Sequence, residues 1–123
     1  MIRNAAGSKL AALRPDGTTA VELFEANLPT EVTAIFVTNV SGNSRTFRVF
    51  HAAAGGSYDQ DTALYYDVTI AANTTTVIQS NTPNGLISLE DGDLIGVRSS
   101  AADDLNFTLY GVTADIAQLR RGG

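Results

Sequence analysis

Short stretches of alternating apolar and polar residues dominate this sequence. In LNFTLY at 105–110 every second residue is large and apolar, and in RTFRVF at 45–50 Phe47 and Val49 stand in the same phase. Because successive side chains of a strand point to opposite faces of a sheet, this period of two predicts strands with one buried face. Alternating or β-branched segments also lie at 9–13, 18–24, 32–38, 66–70, 74–78 and 94–98. We therefore expect about eight strands, with at most one or two short helical turns.

The segments between these strands carry turn residues. Arg14-Pro15-Asp16-Gly17 predicts a hairpin between the first two strands, and 41–44 and 101–104 predict hairpins in the same way. The longest connection, 55–65, lacks alternation and is predicted to cross from one sheet to the other. Many short strands with tight turns are typical of an antiparallel β-sandwich, either a jelly roll or an immunoglobulin-like fold. The predicted fold class is all-β, with residues 1–123 forming a single domain.

The phase of each alternating segment also predicts the core. The strand at 32–38 is apolar on both faces near its middle, so we expect something besides the sandwich core to cover its second face. The side chains expected to point inward are Ile35, Val37, Phe47, Val49, Val68, Ile70, Ile95, Val97, Leu105, Phe107 and Leu109.

Charge and composition narrow the possible partners. The chain has no cysteine, which excludes disulfides, zinc–thiolate sites and cysteine nucleophiles, and no apolar run approaches the ~20 residues that cross a bilayer. The formal net charge of −5 argues against nucleic-acid and anionic-membrane partners. No Lys or Arg lies between Arg48 and Arg98, so the positive charge is concentrated towards the two ends. An acidic solvated surface and contact between basic ends and acidic loops of neighbouring copies are both compatible with this distribution.

Candidate catalytic groups are few. His51, at the end of a predicted strand, is the only histidine, and no serine lies in a nucleophile-elbow motif. Most carboxylates stand in predicted turns, where their bonds to local backbone N–H groups explain them. The turn at 90–93, EDGD, lacks the remaining spaced ligands of a calcium loop. We therefore predict no enzyme activity, no catalytic residue, no metal and no cofactor.

Three aromatic residues are candidates for a subunit interface. By the period of two, Phe50 and Tyr110 point away from the faces that carry the core residues, and Tyr65 is the third candidate. An aromatic side chain on the outside of a strand is a candidate for burial against another subunit. Cover by loops or chain ends of the same molecule is the alternative, and the sequence leaves both open.

In its central region the sequence resembles small structural proteins of tailed-bacteriophage virions. The runs that carry the resemblance are TAIFVTN at 33–39, RTFRV at 45–49, YYDVTIAANTT at 65–75 and LEDGDLIGV at 89–97. It covers about residues 30 to 113 and implies a β-sandwich protein of the virion, assembled in the cytoplasm of the bacterial host. Such proteins are capsid decoration (cement) proteins or parts of tails and baseplates. The resemblance implies no catalytic residue.

The two ends lie outside this resemblance. Residues 1–8 and 114–123 have little hydrophobic periodicity, and they hold Arg3, Arg120 and Arg121. We expect at least one end to form an arm whose arginines meet carboxylates of another subunit. The partners predicted are further copies of the chain, as a homotrimer, and a major capsid protein or other virion protein. A carbohydrate-binding module is the alternative from another class, with 58–60, YDQ, as its one aromatic–polar cluster.

Overall fold

The computed structural model describes residues 8–80 and 85–114, and these form strands and connecting loops. Arg3, Arg120, Arg121, most of the two predicted arms and part of the turn at 83–85 lie outside the described residues. No helix occurs in the described ranges. The nine strands of these ranges are β1 (Ser8–Leu13), β2 (Val21–Glu25), β3 (Thr30–Asn39), β4 (Arg45–Ala52), β5 (Ala63–Ile70), β6 (Thr75–Gln79), β7 (Ile87–Leu89), β8 (Leu94–Ser99) and β9 (Leu105–Thr113).

The strands form two antiparallel sheets with jelly-roll topology. Sheet A has the order β1-β9-β3-β6, with β7 beside the first residues of β3, and sheet B has the order β2-β8-β4-β5. The chain thus pairs from its ends inward, β1 with β9, β2 with β8, β3 with β6 and β7, and β4 with β5. Successive pairs alternate between the sheets, as in a long hairpin that has been rolled up. The predicted all-β sandwich is confirmed, and of its two variants the structure is the jelly roll.

The predicted roles of the connections were wrong. The turns at 14–17, 41–44 and 101–104 were expected to close hairpins, yet each lies between strands of different sheets. The long connection was expected to cross between sheets, yet it joins β4 to β5, which pair within sheet B. Sheets that pack face to face lie ~10 Å apart, and four extended residues reach ~13 Å. A short turn can therefore pass from one sheet to the other as easily as it closes a hairpin.

The core lies between the sheets, where period two placed it. Ten of the eleven side chains expected to point inward are buried, and the eleventh, Val68, is half-buried against the same cluster. Phe47 of sheet B and Phe107 of sheet A meet edge to face at the centre, with ring centroids 6.1 Å apart. The strand β7 was missed because three residues are too few to show a period, although its Ile87 and Leu89 are buried.

A buried asparagine holds one corner of the sandwich together. Asn39, at the end of β3, is completely buried. Its Nδ2 donates to the backbone oxygens of Asn43 and Ile70 at 2.8 and 3.1 Å, and its Oδ1 accepts from the backbone N–H of Ser41 at 2.9 Å. One side chain therefore joins the β3–β4 connection to the end of β5, and satisfies its own polar atoms in doing so.

Candidate interaction surface

The outer face of sheet A carries apolar side chains. Phe36 of β3 and Tyr110 of β9 meet edge to face with ring centroids 5.4 Å apart. Val77 of β6 stands opposite Phe36 in the register and is 43% exposed. We call Phe36, Val77 and Tyr110 the apolar strip. Its outward neighbours on β3, β6 and β9 include the uncharged residues Thr38, Thr75, Gln79, Asn106 and Thr108. On the β1 side, exposed Lys9 stands opposite Tyr110 in the register.

The sequence left open whether the outward aromatic residues are buried by another subunit or covered by the chain itself, and the apolar strip bears on this question for Tyr110. Tyr110 lies on the outer face of sheet A, as predicted, and is half-buried. Phe36 and Val77 were not among the interface candidates. The apolar middle of β3 was the available signal, because Ile35 and Val37 fill the core and leave Phe36 for the opposite face. No described segment of the chain lies over the strip as a further layer.

Phe50 has a different environment from Tyr110. It also points away from the core, but only 2% of it is exposed, because the loop before β5 folds back over the outer face of sheet B. The Tyr58 ring lies 5.8 Å from the Phe50 ring and rests on Gly96, where a Cβ atom would stand 2.5 Å from its Cε1. The chain's own loop therefore covers Phe50, and almost none of its surface is available for contact with a partner.

Burial raises the pKa of the Tyr58 phenol, and the carboxylates of Glu22 and Glu25 add to the increase. Both effects disfavour the phenolate, burial because it removes solvent and the carboxylates because of their negative charge. The aromatic member of the predicted sugar-binding cluster is thus turned onto the protein rather than presented to solvent.

A bulge in β5 aims two side chains at one arginine. Tyr66 and Asp67 together oppose Arg48 of β4, and Asp67 has a positive φ of 53°. The Arg48 guanidinium lies 3.9 Å from the Tyr66 ring centroid, and its Nε donates to Asp67 Oδ1 at 2.7 Å. This hydrogen bond is the main reason that the pKa of Asp67 is lowered, and the charge of Arg98 adds to the effect. The cluster is exposed and internally paired, so we assign it to local structure.

A cleft of about 450 Å³ opens between the sheets beside β5 and β7. His51, Tyr65 and Leu64 line it from sheet B, and Leu86, Ile87 and Ser88 line it from the other side. Tyr65, the third interface candidate, therefore packs at the margin of the core and faces this cleft rather than a flat outer surface. Its lining is mostly apolar, with few polar groups.

His51 joins two elements of the fold. Its Nε2 N–H donates to Asp93 Oδ2 at 2.9 Å, and the same oxygen accepts from the backbone N–H of Glu90 at 3.0 Å. The histidine hydrogen bond, followed by the backbone one, lowers the pKa of the Asp93 carboxyl. The pair fastens the end of β4 to the β7–β8 turn, so we assign His51 a structural role.

Two searches of the described residues concern binding to metals and membranes. Residues 8–80 and 85–114 contain no group of three or more His, Asp or Glu side chains placed to hold a metal ion. The same ranges contain no helix that is long and apolar enough to cross a membrane.

Comparison with known proteins gives only distant likenesses. No family model matches the chain, and no curated protein matches it. Among solved structures, the Tobacco streak virus coat protein dimer is similar over 94% of this chain and 92% of its own, with 13% identity and a TM-score of 0.40. A structure of infectious bursal disease virus, Gx strain, is similar over 86% of this chain and 30% of its own, with 14% identity and a TM-score of 0.41. At these scores the likeness has no weight for function.

Proposed function

We propose that this chain is a non-enzymatic structural subunit of a virus particle, and specifically a decoration protein on the capsid of a tailed phage. The apolar strip is the observation that carries the proposal. It runs across the outer face of sheet A from β9 and β3 to the edge strand β6, which suits broad contact with another protein surface. The jelly roll supports the proposal by analogy alone, since lectin domains share it with capsid proteins. The resemblance of residues 30–113 to tailed-phage virion proteins is the reason that we name a tailed phage as the virus.

The alternatives within the particle concern location. A tail or baseplate component would present the same kind of surface, so the fold and the strip do not distinguish it from a decoration protein. A carbohydrate-binding module is the weaker alternative, because Tyr58 covers Phe50 instead of offering an exposed platform. We further propose that the protein self-associates, with the homotrimer and the arginine-bearing arms as predictions.

Binding to shells is the direct test. The purified protein is mixed with phage shells that lack it, and bound protein is measured by co-sedimentation. Thr108 stands on the outer face next to Phe36 in the register, so Thr108→Lys places a charge in the strip without altering the core. We expect Thr108→Lys to weaken binding at least ~10-fold, because the lysine ammonium is desolvated on contact.

The matched control is Val40→Lys. Val40 is 45% exposed and lies in the β3–β4 connection, outside the strip. This variant should bind like the wild type. If neither shells nor tails bind the wild-type protein, the virion proposal is wrong. A cryo-EM map of decorated particles separates the capsid from the tail.

A further inference from the structure

The free edges of the two sheets differ in how well they are protected. Within the described ranges, edge strand β1 carries Lys9 and a bulge, and β2 carries Glu22 and Glu25 and a bulge. Edge strand β5 carries Asp67 and two irregularities in its register. Charges and bulges are the features by which sheet proteins keep their edges from pairing with other chains.

β6 has none of these features. Its five residues, Thr75–Gln79, include neither charge nor proline, and four of the five are β-branched. Its register against β3 runs without a shift from Ala34↔Gln79 to Thr38↔Thr75. It is also longer than β7, which continues the same edge with three residues. Among the edges of the described chain, β6 is therefore the one best suited to accept another strand.

Every second residue of β6 directs its backbone N–H and C=O groups towards the free edge of sheet A. Asn39 N–H donates to Thr74 O at 2.9 Å, so this pair is hydrogen-bonded within sheet A. Hydrogen-bonded and non-bonded pairs alternate along antiparallel strands, so Thr76 and Ile78 are the residues of β6 that form hydrogen bonds with β3. Thr75, Val77 and Gln79 then direct their N–H and C=O groups away from β3. All three residues are exposed.

We propose that β6 pairs with β6 of a second copy of this chain, antiparallel and about a twofold axis at Val77. A self-complementary contact is what a twofold axis requires, and an uncharged strand meets its own copy without like-charge repulsion. With Val77 opposite Val77, Thr75 faces Gln79 of the second copy, and about six new backbone hydrogen bonds can form.

The proposed pairing also explains the exposed valine. Val77 would lie beside its copy on the outer face, with Phe36 next to it on each side. The two apolar strips would then become one surface across a joined sheet. This inference deepens the self-association in the proposed function. The homotrimer is a separate prediction, because a threefold contact is heterologous and uses a different surface.

Proline at Val77 provides the first test. Val77→Pro removes an N–H that points away from β3, so sheet A keeps its own ladder while the edge loses a donor. Mass is measured by sedimentation velocity on the isolated protein. We expect the wild-type mass to be an even multiple of the chain mass and the variant mass to be half of it. Equal masses for the two proteins would overturn the proposal.

Opposite charges provide a second test that does not depend on proline. Val77→Lys and Val77→Glu each place like charges at the twofold axis, so each variant alone should dissociate at least ~10-fold more readily. An equimolar mixture should recover the paired mass as a mixed assembly. Val40→Lys, an equally exposed valine away from the edge, should behave as the wild type. Failure of the mixture to pair, with both variants folded by circular dichroism, would refute the twofold contact.

The two proposals can fail separately. If Val77→Pro leaves the mass unchanged but abolishes binding to shells, the occupant of the edge is a strand of a shell protein, and the second copy is excluded. If Val77→Pro has half the wild-type mass while Thr108→Lys binds shells normally, the pairing holds and the apolar strip is not the shell contact.

Discussion

Replacing Asn39 tests whether one side chain holds the corner between the sheets. In Asn39→Ala the backbone oxygen of Ile70 loses its buried side-chain donor but keeps its place opposite Arg45 in the β4–β5 ladder, and the loss of one hydrogen bond costs about 0.5–1.5 kcal/mol. The bonds to Asn43 and Ser41 are only partly buried, so water can replace them and each loss costs a few tenths to ~1 kcal/mol. We therefore expect the free energy of unfolding to fall by about 2 kcal/mol, and Tm to fall by about 8 °C.

Urea unfolding at neutral pH measures this loss, with an unchanged m-value showing that the unfolded state is the same. The control is Asn43→Ala, which removes an exposed side chain of the same turn and should change stability by less than ~0.5 kcal/mol. A loss below ~1 kcal/mol for Asn39→Ala would refute the reasoning, because it would mean that the backbone holds the corner without this side chain.

Asn39→Asp separates the donor from the acceptor. The aspartate can still accept from Ser41, but its second oxygen faces the carbonyls of Asn43 and Ile70, which repel it. We expect it to destabilise the fold at least as much as alanine at neutral pH. Burial among carbonyl oxygens raises the pKa of such a carboxyl in the folded state, so stability should recover as pH falls and the protonated form donates. A loss that is independent of pH would contradict this assignment.

Three further predictions concern the core, the loop cover and acid stability. Phe107→Ala should cost about 3–5 kcal/mol in a chemical unfolding curve, since Phe107 is fully buried, and an unchanged midpoint would contradict the register. Gly96→Ala should displace Tyr58 and lower the pKa of its phenol towards the ordinary value, as followed by ultraviolet titration against Tyr58→Phe; an unchanged titration would contradict the contact. Because the pKa of folded Asp93 is lowered, its carboxylate stabilises the fold above the ordinary value of ~4, and this contribution is lost as pH falls through the lowered value. Asp93→Asn should therefore flatten the loss of stability below about pH 4, whereas an unchanged acid limb would exclude the His51–Asp93 bond as its source.

The candidate surface could be predicted only in part. Tyr110 followed from the period of two, and the two-sided apolar middle of β3 indicated that its outer face needed cover. Phe36 and Val77 become one strip only when β3 is known to lie between β6 and β9. The cover of Phe50 by Tyr58 depends on how a loop folds back, and the alternation of β4 contains no information about that.

Sequence alone determined where most strands lie and which of their faces are buried. Alternation is a local property of an extended chain, and a strand with one buried face needs its apolar residues on that face. Phe47, Val49 and Phe107 were placed correctly for that reason. Tertiary structure decided which strands pair. The short turn at 41–44 can physically close a hairpin or step across ~10 Å to the facing sheet, and its residues suit both. Only the closing of β1 on β9 and β2 on β8, contacts between residues far apart in the chain, selects the jelly roll.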